Sequence, residues 1–287
     1  MKGILLAGGA GTRLYPITIP ISKQIIPVYD KPMIYYPLST LIASGIKDIL
    51  VITSPKDLPL FQSLLSNGRQ WGCAISYKIQ EEPKGIAEAF LIGKDFIGKD
   101  NVALILGDNI FYFPALKSVI KSSVQNTGAS IFAYHVSDPS RYGVVEFKNN
   151  SKIISIEEKP KYPKSNYAIP GFYFFDNNVI QYAQELTPSS RGELEVTDLI
   201  LKYHYANTLN VIKMDKGTAW LDTGTVSSLM EAGQFVQVLE KRQGLKVGCV
   251  EEQAYLQNYI NSDELKKLAY SFNNGYGEYL RSLLNVE

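Results

Sequence analysis

The hydrophobic pattern opens at once. Ile4 to Ala7 is an apolar run that reads as a buried parallel strand, and it breaks into Gly8, Gly9 and Gly11. The same rhythm recurs through the first half of the chain. Tyr35 to Ser44 carries apolar residues at helical spacing and runs into Gly45, a C-capping glycine. Asp48 to Thr53 reads as a second buried strand, Leu58 to Leu65 as a helix and Ile75 to Ile79 as a strand. Gly85 to Gly93 reads as a short helix after Pro83, and Asn101 to Leu106 as another buried strand. Such alternation predicts an α/β fold, Rossmann-like, with a mixed, mainly parallel central sheet flanked by helices. Ligands in these sheets sit outside the carboxyl ends of the strands. The glycine loop and Gly107-Asp108-Asn109 both lie at such ends.

The pattern then changes. Ser130 to His135, Gly143 to Phe147, Ile153 to Glu157 and Phe172 to Phe175 read as strands separated by turns, a continuation of the sheet plus a smaller, partly antiparallel lobe. Leu194 to Tyr205 reads as a helix, Leu209 to Lys213 and Ala219 to Leu221 as strands. Val226 to Arg242 is a helix with Leu229, Ala232, Phe235, Val236 and Leu239 on one stripe. After Gly244, Asp263 to Tyr270 and Tyr276 to Leu284 are amphipathic, with apolar faces to pack on the body or on another subunit. The expected organisation is one α/β domain over 1–242, with halves of about 1–125 and 126–242, and a C-terminal helical region over 243–287.

Composition narrows the function classes. The chain has 287 residues, 45% hydrophobic and 20% charged, as ordinary globular proteins are. A net charge of +1 leaves no electrostatic footprint for nucleic acid or an anionic membrane. No apolar run approaches the roughly 18 residues that span a bilayer. Met1 to Leu5 enters the first strand directly and does not read as a signal peptide. Cys73 and Cys249 fit a reducing compartment without a disulfide framework, so the cytoplasm is the expected location. His135 and His204 have no paired metal-ligand spacing, which argues against zinc; His135 reads as a hydrogen-bonded, partly buried histidine.

Several residues could carry chemistry. Backbone N–H groups of the glycine loop can surround phosphate oxygens, and Arg13 and Lys23 would add two cations. The loop lacks Gly-Lys-Ser/Thr and has Leu14 where a dinucleotide fingerprint has its third glycine. The alternative is a strand–turn packing loop. Asp108 is placed either to hold Mg²⁺ or to make an Asx-turn or cap. Asp222 is placed either to hold Mg²⁺ or to cap the helix near Val226. Glu157 and Glu158 end a strand and face opposite ways. Glu158 would then meet sugar hydroxyls with Lys159 near a sugar phosphate, unless both belong to a charged surface turn. Tyr142-Gly143 and Gly171-Phe172-Tyr173 suit either a pocket wall or core packing.

Longer stretches carry a resemblance over nearly the whole chain. They are Gly8-Gly9-Ala10-Gly11-Thr12-Arg13-Leu14, Ser22-Lys23-Gln24, Tyr29-Asp30-Lys31-Pro32-Met33-Ile34-Tyr35-Tyr36-Pro37, Leu106 to Phe111, Arg141 to Phe147, Glu157-Glu158-Lys159-Pro160, Arg191-Gly192-Glu193-Leu194-Glu195 and Ala219-Trp220-Leu221-Asp222-Thr223-Gly224-Thr225. The glycine loop marks only a superfamily; the Tyr29 to Tyr36 and Trp220 to Thr225 stretches are far more specific. On these the chain resembles the sugar-phosphate nucleotidylyltransferases, and among them the short bacterial-type glucose-1-phosphate thymidylyltransferases.

The resemblance implies Mg²⁺-dependent transfer of a thymidylyl group from dTTP to glucose 1-phosphate, giving dTDP-glucose and pyrophosphate, the first step of dTDP-rhamnose or other deoxysugar biosynthesis. It implies that Arg13, Lys23, Lys159, Asp108 and Asp222 are catalytic, with Asp108 and Asp222 as metal ligands. Leu6, Gly8, Gly11, Thr12, Arg13, Gln24, Gln80 and Gly85 would bind the nucleotide, with Gln80 and Gly85 reading thymine. Asn109, Gly143, Glu158, Lys159, Ile169 and Tyr173 would line the glucose 1-phosphate side. A homotetramer, a dimer of dimers, is implied as well. Four features depart from the family pattern: Ala10 in the loop, Lys84 within Pro83-Lys84-Gly85, Glu88 on the following helix, and the short Phe113-Pro114-Ala115-Leu116 segment. Lys84 and Glu88 lie beside the base and sugar pocket, and Phe113 to Leu116 replaces a segment tied to feedback by dTDP-rhamnose. The competing readings are the same chemistry on UTP or another sugar 1-phosphate, and a non-catalytic nucleotide-sugar sensor.

Overall fold

The computed structural model describes residues 1–9, 11–124, 127–149 and 152–284. Ala10 and the last three positions of the expected C-terminal region lie outside the described residues. The strand Lys2–Ala7 sits between Asp48–Thr53 and Val102–Leu106, with Ala74–Ile79 beyond Asp48–Thr53, all parallel. Alternate side chains of these strands enter two different cores. Leu5, Ile49, Val51, Ala103 and Ile105 join one with Ile34, Leu38 and Phe61. Ile4, Leu50, Ile52 and Leu104 join the other with Phe90, Leu199 and Tyr203. Burial on both faces is why the strands are apolar runs rather than alternating sequences.

Beyond Val102–Leu106 the sheet becomes mixed. Phe172–Phe175 runs antiparallel to it and to Ala129–His135, and Leu209–Lys213 pairs parallel with Ala129–His135. The short strand Tyr167–Ala168 links Ala129–His135 to the hairpin of Gly143–Lys148 and Lys152–Glu158. The antiparallel part is therefore hydrogen-bonded into the same ten-stranded sheet as the parallel part. Asn109–Tyr112 pairs antiparallel with Ala219–Asp222 in a separate ribbon, with Asn109 opposite Asp222.

Some elements differ from the sequence expectation. The helix expected from Gly85 begins only at Glu88, and a further turn covers Lys94–Ile97. Gly85 is instead held with φ +106° in a loop clamped to the chain at Leu194, which donates to the Lys84 carbonyl and accepts from the Ala87 N–H. The helix Val250–Leu256 was not expected; at seven residues it is too short for a clear apolar period. His135 is exposed, with its ring edge on Tyr167, because it ends its strand where the chain leaves the sheet. The helices Ser262–Ser271 and Gly275–Ser282 pack on the body: Leu265, Ala269 and Leu280 are buried with Leu41, Phe61 and Trp71. Among the described residues no helix is long and apolar enough to cross a membrane.

Candidate active site

The glycine loop follows the central strand. Gly11 has φ +63° and leads into the turn Thr12–Leu14, while the Thr18 hydroxyl donates to the Gly11 carbonyl at 2.7 Å. A Cβ on Gly8 would stand 2.4 Å from Gln80 Oε1, so a larger residue there would push that side chain out of its place. Lys23 opens the turn Lys23–Ile25 and is buried beside Gln24, whose Oε1 accepts from the Ser22 hydroxyl at 2.7 Å.

Two carboxylates face this loop. Lys23 Nζ is ion-paired with Asp108 Oδ2, and Asn109 Nδ2 donates to Asp108 Oδ1 at 2.9 Å. Burial alone would favour the neutral acid, but the Lys23 charge and these hydrogen bonds hold Asp108 below the usual carboxylate range. Asp222 shifts the other way. Burial and the negative charge of Asp108 push it up, against a partial offset from Lys23, Arg141 and Arg13. Arg141 Nη2 lies 3.0 Å from Asp222 Oδ2, to which the Tyr142 hydroxyl donates at 3.4 Å. The capping alternatives do not hold. Thr225, not Asp222, caps the helix Val226–Gln243 in a reciprocal box with Ser228. The Asp108 side chain goes to Lys23 and Asn109, and only its backbone carbonyl serves the turn, accepting from the Thr223 hydroxyl at 2.7 Å.

Two adjoining cavities open here. The first, about 390 Å³, is lined by Leu6, Gly11, Thr12, Arg13, Lys23, Gln24, Gln80 and Gly85 among others. Gly8 lies just behind, against Gln80. The second, about 480 Å³, is lined by Asn109, Gly143, Glu158, Lys159, Ile169, Tyr173 and Asp222. Arg13 and Asp108 border both. The residues expected for the nucleotide and those expected for the sugar phosphate thus fall into separate, neighbouring spaces with the charged groups at the junction.

Polar contacts orient the walls of the second cavity. Asn109 Oδ1 accepts from Trp220 Nε1 at 2.7 Å and from the Gly171 N–H at 2.9 Å, which fixes its amide. Glu158 accepts from the Thr197 hydroxyl at 3.0 Å and from Arg191 at 3.2 Å, and Lys159 Nζ lies 3.3 Å from it. Glu157 faces away to Lys164, as strand alternation requires. Single-residue reasoning missed Arg141, Trp220, Arg191 and Thr197. Arg141, Trp220 and Arg191 stand in the matched stretches, but their partners lie far along the chain and local spacing carries no signal for them.

Among the described residues no group of three or more His, Cys, Asp and Glu side chains could hold an ion. Asp108 and Asp222 alone, two mutually repelling carboxylates beside the glycine loop, suit a hard divalent cation whose other ligands are phosphate oxygens and water.

A strand–glycine-loop–cation arrangement with paired carboxylates, on a mixed sheet of this topology, defines a nucleotide-group transferase. The chain belongs to the nucleotidyl transferase family, whose pattern it matches over residues 2–238. It is 54% identical to the glucose-1-phosphate thymidylyltransferase of Mycolicibacterium smegmatis (strain ATCC 700084 / mc(2)155) over 100% of both chains. It is 52% identical to the enzyme of that name from Neisseria meningitidis serogroup A / serotype 4A (strain DSM 15465 / Z2491), over 99% of both. A solved structure from Bacillus anthracis, provisionally named a glucose-1-phosphate thymidylyltransferase and in complex with a sucrose, is 42% identical with a TM-score of 0.76, covering 82% of this chain and 94% of that one.

Proposed function

We propose that this protein transfers the thymidylyl group of dTTP to glucose 1-phosphate by direct in-line displacement, releasing pyrophosphate and forming dTDP-glucose. The observation that carries the reading is the meeting of the two cavities at Arg13 and Asp108. A phosphate oxygen of the sugar phosphate attacks the α-phosphorus. That nucleophile is already an anion, so the site needs no general base. What it must do is hold two anions together in line. The loop amides and Arg13 take the triphosphate, Lys23 contacts the phosphates at the reacting centre, and Lys159 takes the sugar phosphate. Leu6, Gln24, Gln80 and Gly85 seat the nucleoside, while Asn109, Glu158, Gly143, Ile169 and Tyr173 seat the sugar. Asp108 and Asp222 would hold Mg²⁺, which when bound supplies neutralisation of phosphate charge.

The test is pyrophosphate release with glucose 1-phosphate and Mg²⁺ across dTTP, UTP, dCTP and GTP, with an EDTA control. Fast, metal-dependent release with dTTP and dTDP-glucose as product supports the reading; preference for UTP would move the nucleotide assignment. No release with any nucleotide, from protein that binds dTTP, would favour another sugar phosphate or a sensor. Asp108→Asn and Arg13→Ala should each lower turnover at least about a hundredfold, on the scale of about 3–4 kcal/mol of transition-state stabilisation. Near-normal turnover of either folded variant removes that residue from the mechanism. The buried thiols Cys73 and Cys249 support a cytoplasmic location. A homotetramer belongs to the same proposal, and light scattering of the purified protein checks it.

A further inference from the structure

The base end of the first cavity holds a contact that the transfer mechanism does not use. Gln80 follows directly on the strand Ala74–Ile79 and is buried, with its side chain on the cavity wall. Glu88 opens the helix Glu88–Ile92 across the loop. Gln80 Nε2 donates to Glu88 Oε2 at 2.7 Å. On the other side, Gln80 Oε1 lies over Gly8, so close that a Cβ there would be 2.4 Å away. Among the described residues no hydrogen bond reaches that oxygen, while the amide nitrogen has a partner in Glu88.

The chemistry of Glu88 gives this contact a consequence. A primary amide can turn over and exchange its donor and acceptor ends at little cost unless its neighbours tell them apart. An ionised carboxylate accepts hydrogen bonds and donates none. Beside Glu88 only the NH₂ end of Gln80 can face the carboxylate, and the carbonyl end is left as a free acceptor. A glutamine at position 88 would lack this one-sidedness, because it could accept from Gln80 or donate to it. Thymine and uracil present an N–H at N3 flanked by carbonyl oxygens; cytosine presents a lone pair at N3 beside an amino group. An amide held with its oxygen free suits the first edge, and the turned-over amide suits the second.

We propose that Glu88 is a positioning residue that sets base selectivity, holding the Gln80 amide in the orientation that accepts thymine and uracil and rejects cytosine. This rests on the reading of the first cavity as the nucleotide site. Glu88 acts through Gln80 and touches no reacting atom.

The experiment measures kcat and KM for dTTP, dUTP and dCTP with glucose 1-phosphate, in the wild-type enzyme, Glu88→Gln and Glu88→Ala, with thermal melts of each. The expected result is that Glu88→Gln lowers the dTTP-over-dCTP ratio of kcat/KM by about tenfold or more, the scale on which an unpaired polar group discriminates. The change should appear in KM, and Glu88→Ala should move the ratio the same way. The dTTP-over-dUTP ratio should stay put, because those bases share one hydrogen-bonding edge and differ by a methyl group. A generally loosened pocket would lower all three nucleotides together, and that outcome overturns the proposal. So does an unchanged dTTP-over-dCTP ratio in both folded variants of an enzyme active with dTTP. A wild-type protein that neither binds nor turns over any of the three overturns the nucleotide-site reading first, and this proposal with it.

Discussion

At the residue scale, the contact between Lys23 and Asp108 concentrates most of the tension in the site. A buried ammonium and a partly buried carboxylate are each costly alone and tolerable together. Lys23→Ala should therefore do two separable things. It should abolish efficient transfer, and it should destabilise the fold by about 1–3 kcal/mol, because Asp108 is left as an uncompensated, partly buried acid. The double variant Lys23→Ala/Asp108→Asn should melt above Lys23→Ala while remaining inactive. A double variant that melts no higher would mean that the pair contributes nothing to stability. Asn109 illustrates the same economy of placement: one side chain donates to Asp108 and accepts from Trp220 and Gly171, so a single amide ties both strands of the ribbon to the carboxylate.

Among the elements, the loop between Ala74–Ile79 and Glu88–Ile92 shapes the nucleotide cavity, and Gly85 is its constraint. Its φ of +106° suits glycine alone, and a Cβ would stand 2.3 Å from the Leu194 carbonyl oxygen and 2.5 Å from its nitrogen. Gly85→Ala has to break the clamp between Lys84 and Leu194 to be accommodated. The expected outcome is a lower melting temperature, with a cost of about 1–3 kcal/mol, and a raised KM for dTTP with a smaller effect on KM for glucose 1-phosphate. Equal changes in both KM values would show that the clamp serves the whole site and not the nucleotide end. The helix Val226–Gln243 begins four residues after Asp222, so its capping box at Thr225 and Ser228 also anchors the end of the ribbon that carries this carboxylate.

For the whole molecule, charge clusters join segments that are distant in sequence. Lys31 and Lys246 both pair with Asp30 and with Glu240, tying the hairpin of Pro27–Val28 and Lys31–Pro32 to the end of the helix Val226–Gln243. Burial would raise Asp30, but the Lys31 charge and hydrogen bonds from Lys246 and Lys31 more than offset it, and Asp30 ends below its ordinary value. A carboxylate with a depressed folded pKa stabilises the fold above its unfolded pKa of about 3.9, and that contribution is lost as pH falls through the folded value. Melting temperature should accordingly drop below about pH 4. Asp30→Asn should melt lower than the wild type at neutral pH and show a shallower acid limb. An acid limb of undiminished slope in Asp30→Asn would assign the acid sensitivity to other carboxylates.

The sequence by itself determined the features that depend on local periodicity and local backbone chemistry. The strand runs Asp48–Thr53 and Phe172–Phe175, the helix Leu58–Leu65 and the glycine loop were all legible, because burial on two faces or one leaves a period that few residues suffice to reveal. The opposed facing of Glu157 and Glu158 followed from strand alternation alone. What only the tertiary structure decided are relations between distant segments. These include the separation of Asp108 and Asp222 from their capping alternatives, and the joining of the antiparallel strands to the main sheet through Tyr167–Ala168. They also include the late start of the helix at Glu88, the docking of the C-terminal helices on the body, the recruitment of Arg141 and Thr197 to the second cavity, and the pairing of Arg191 with Glu158 on its wall. The physical reason is common to all of them. Periodicity reports which face of an element is buried, whereas a hydrogen bond or ion pair between residues 33, 81 or 111 positions apart leaves no trace in the spacing of either partner.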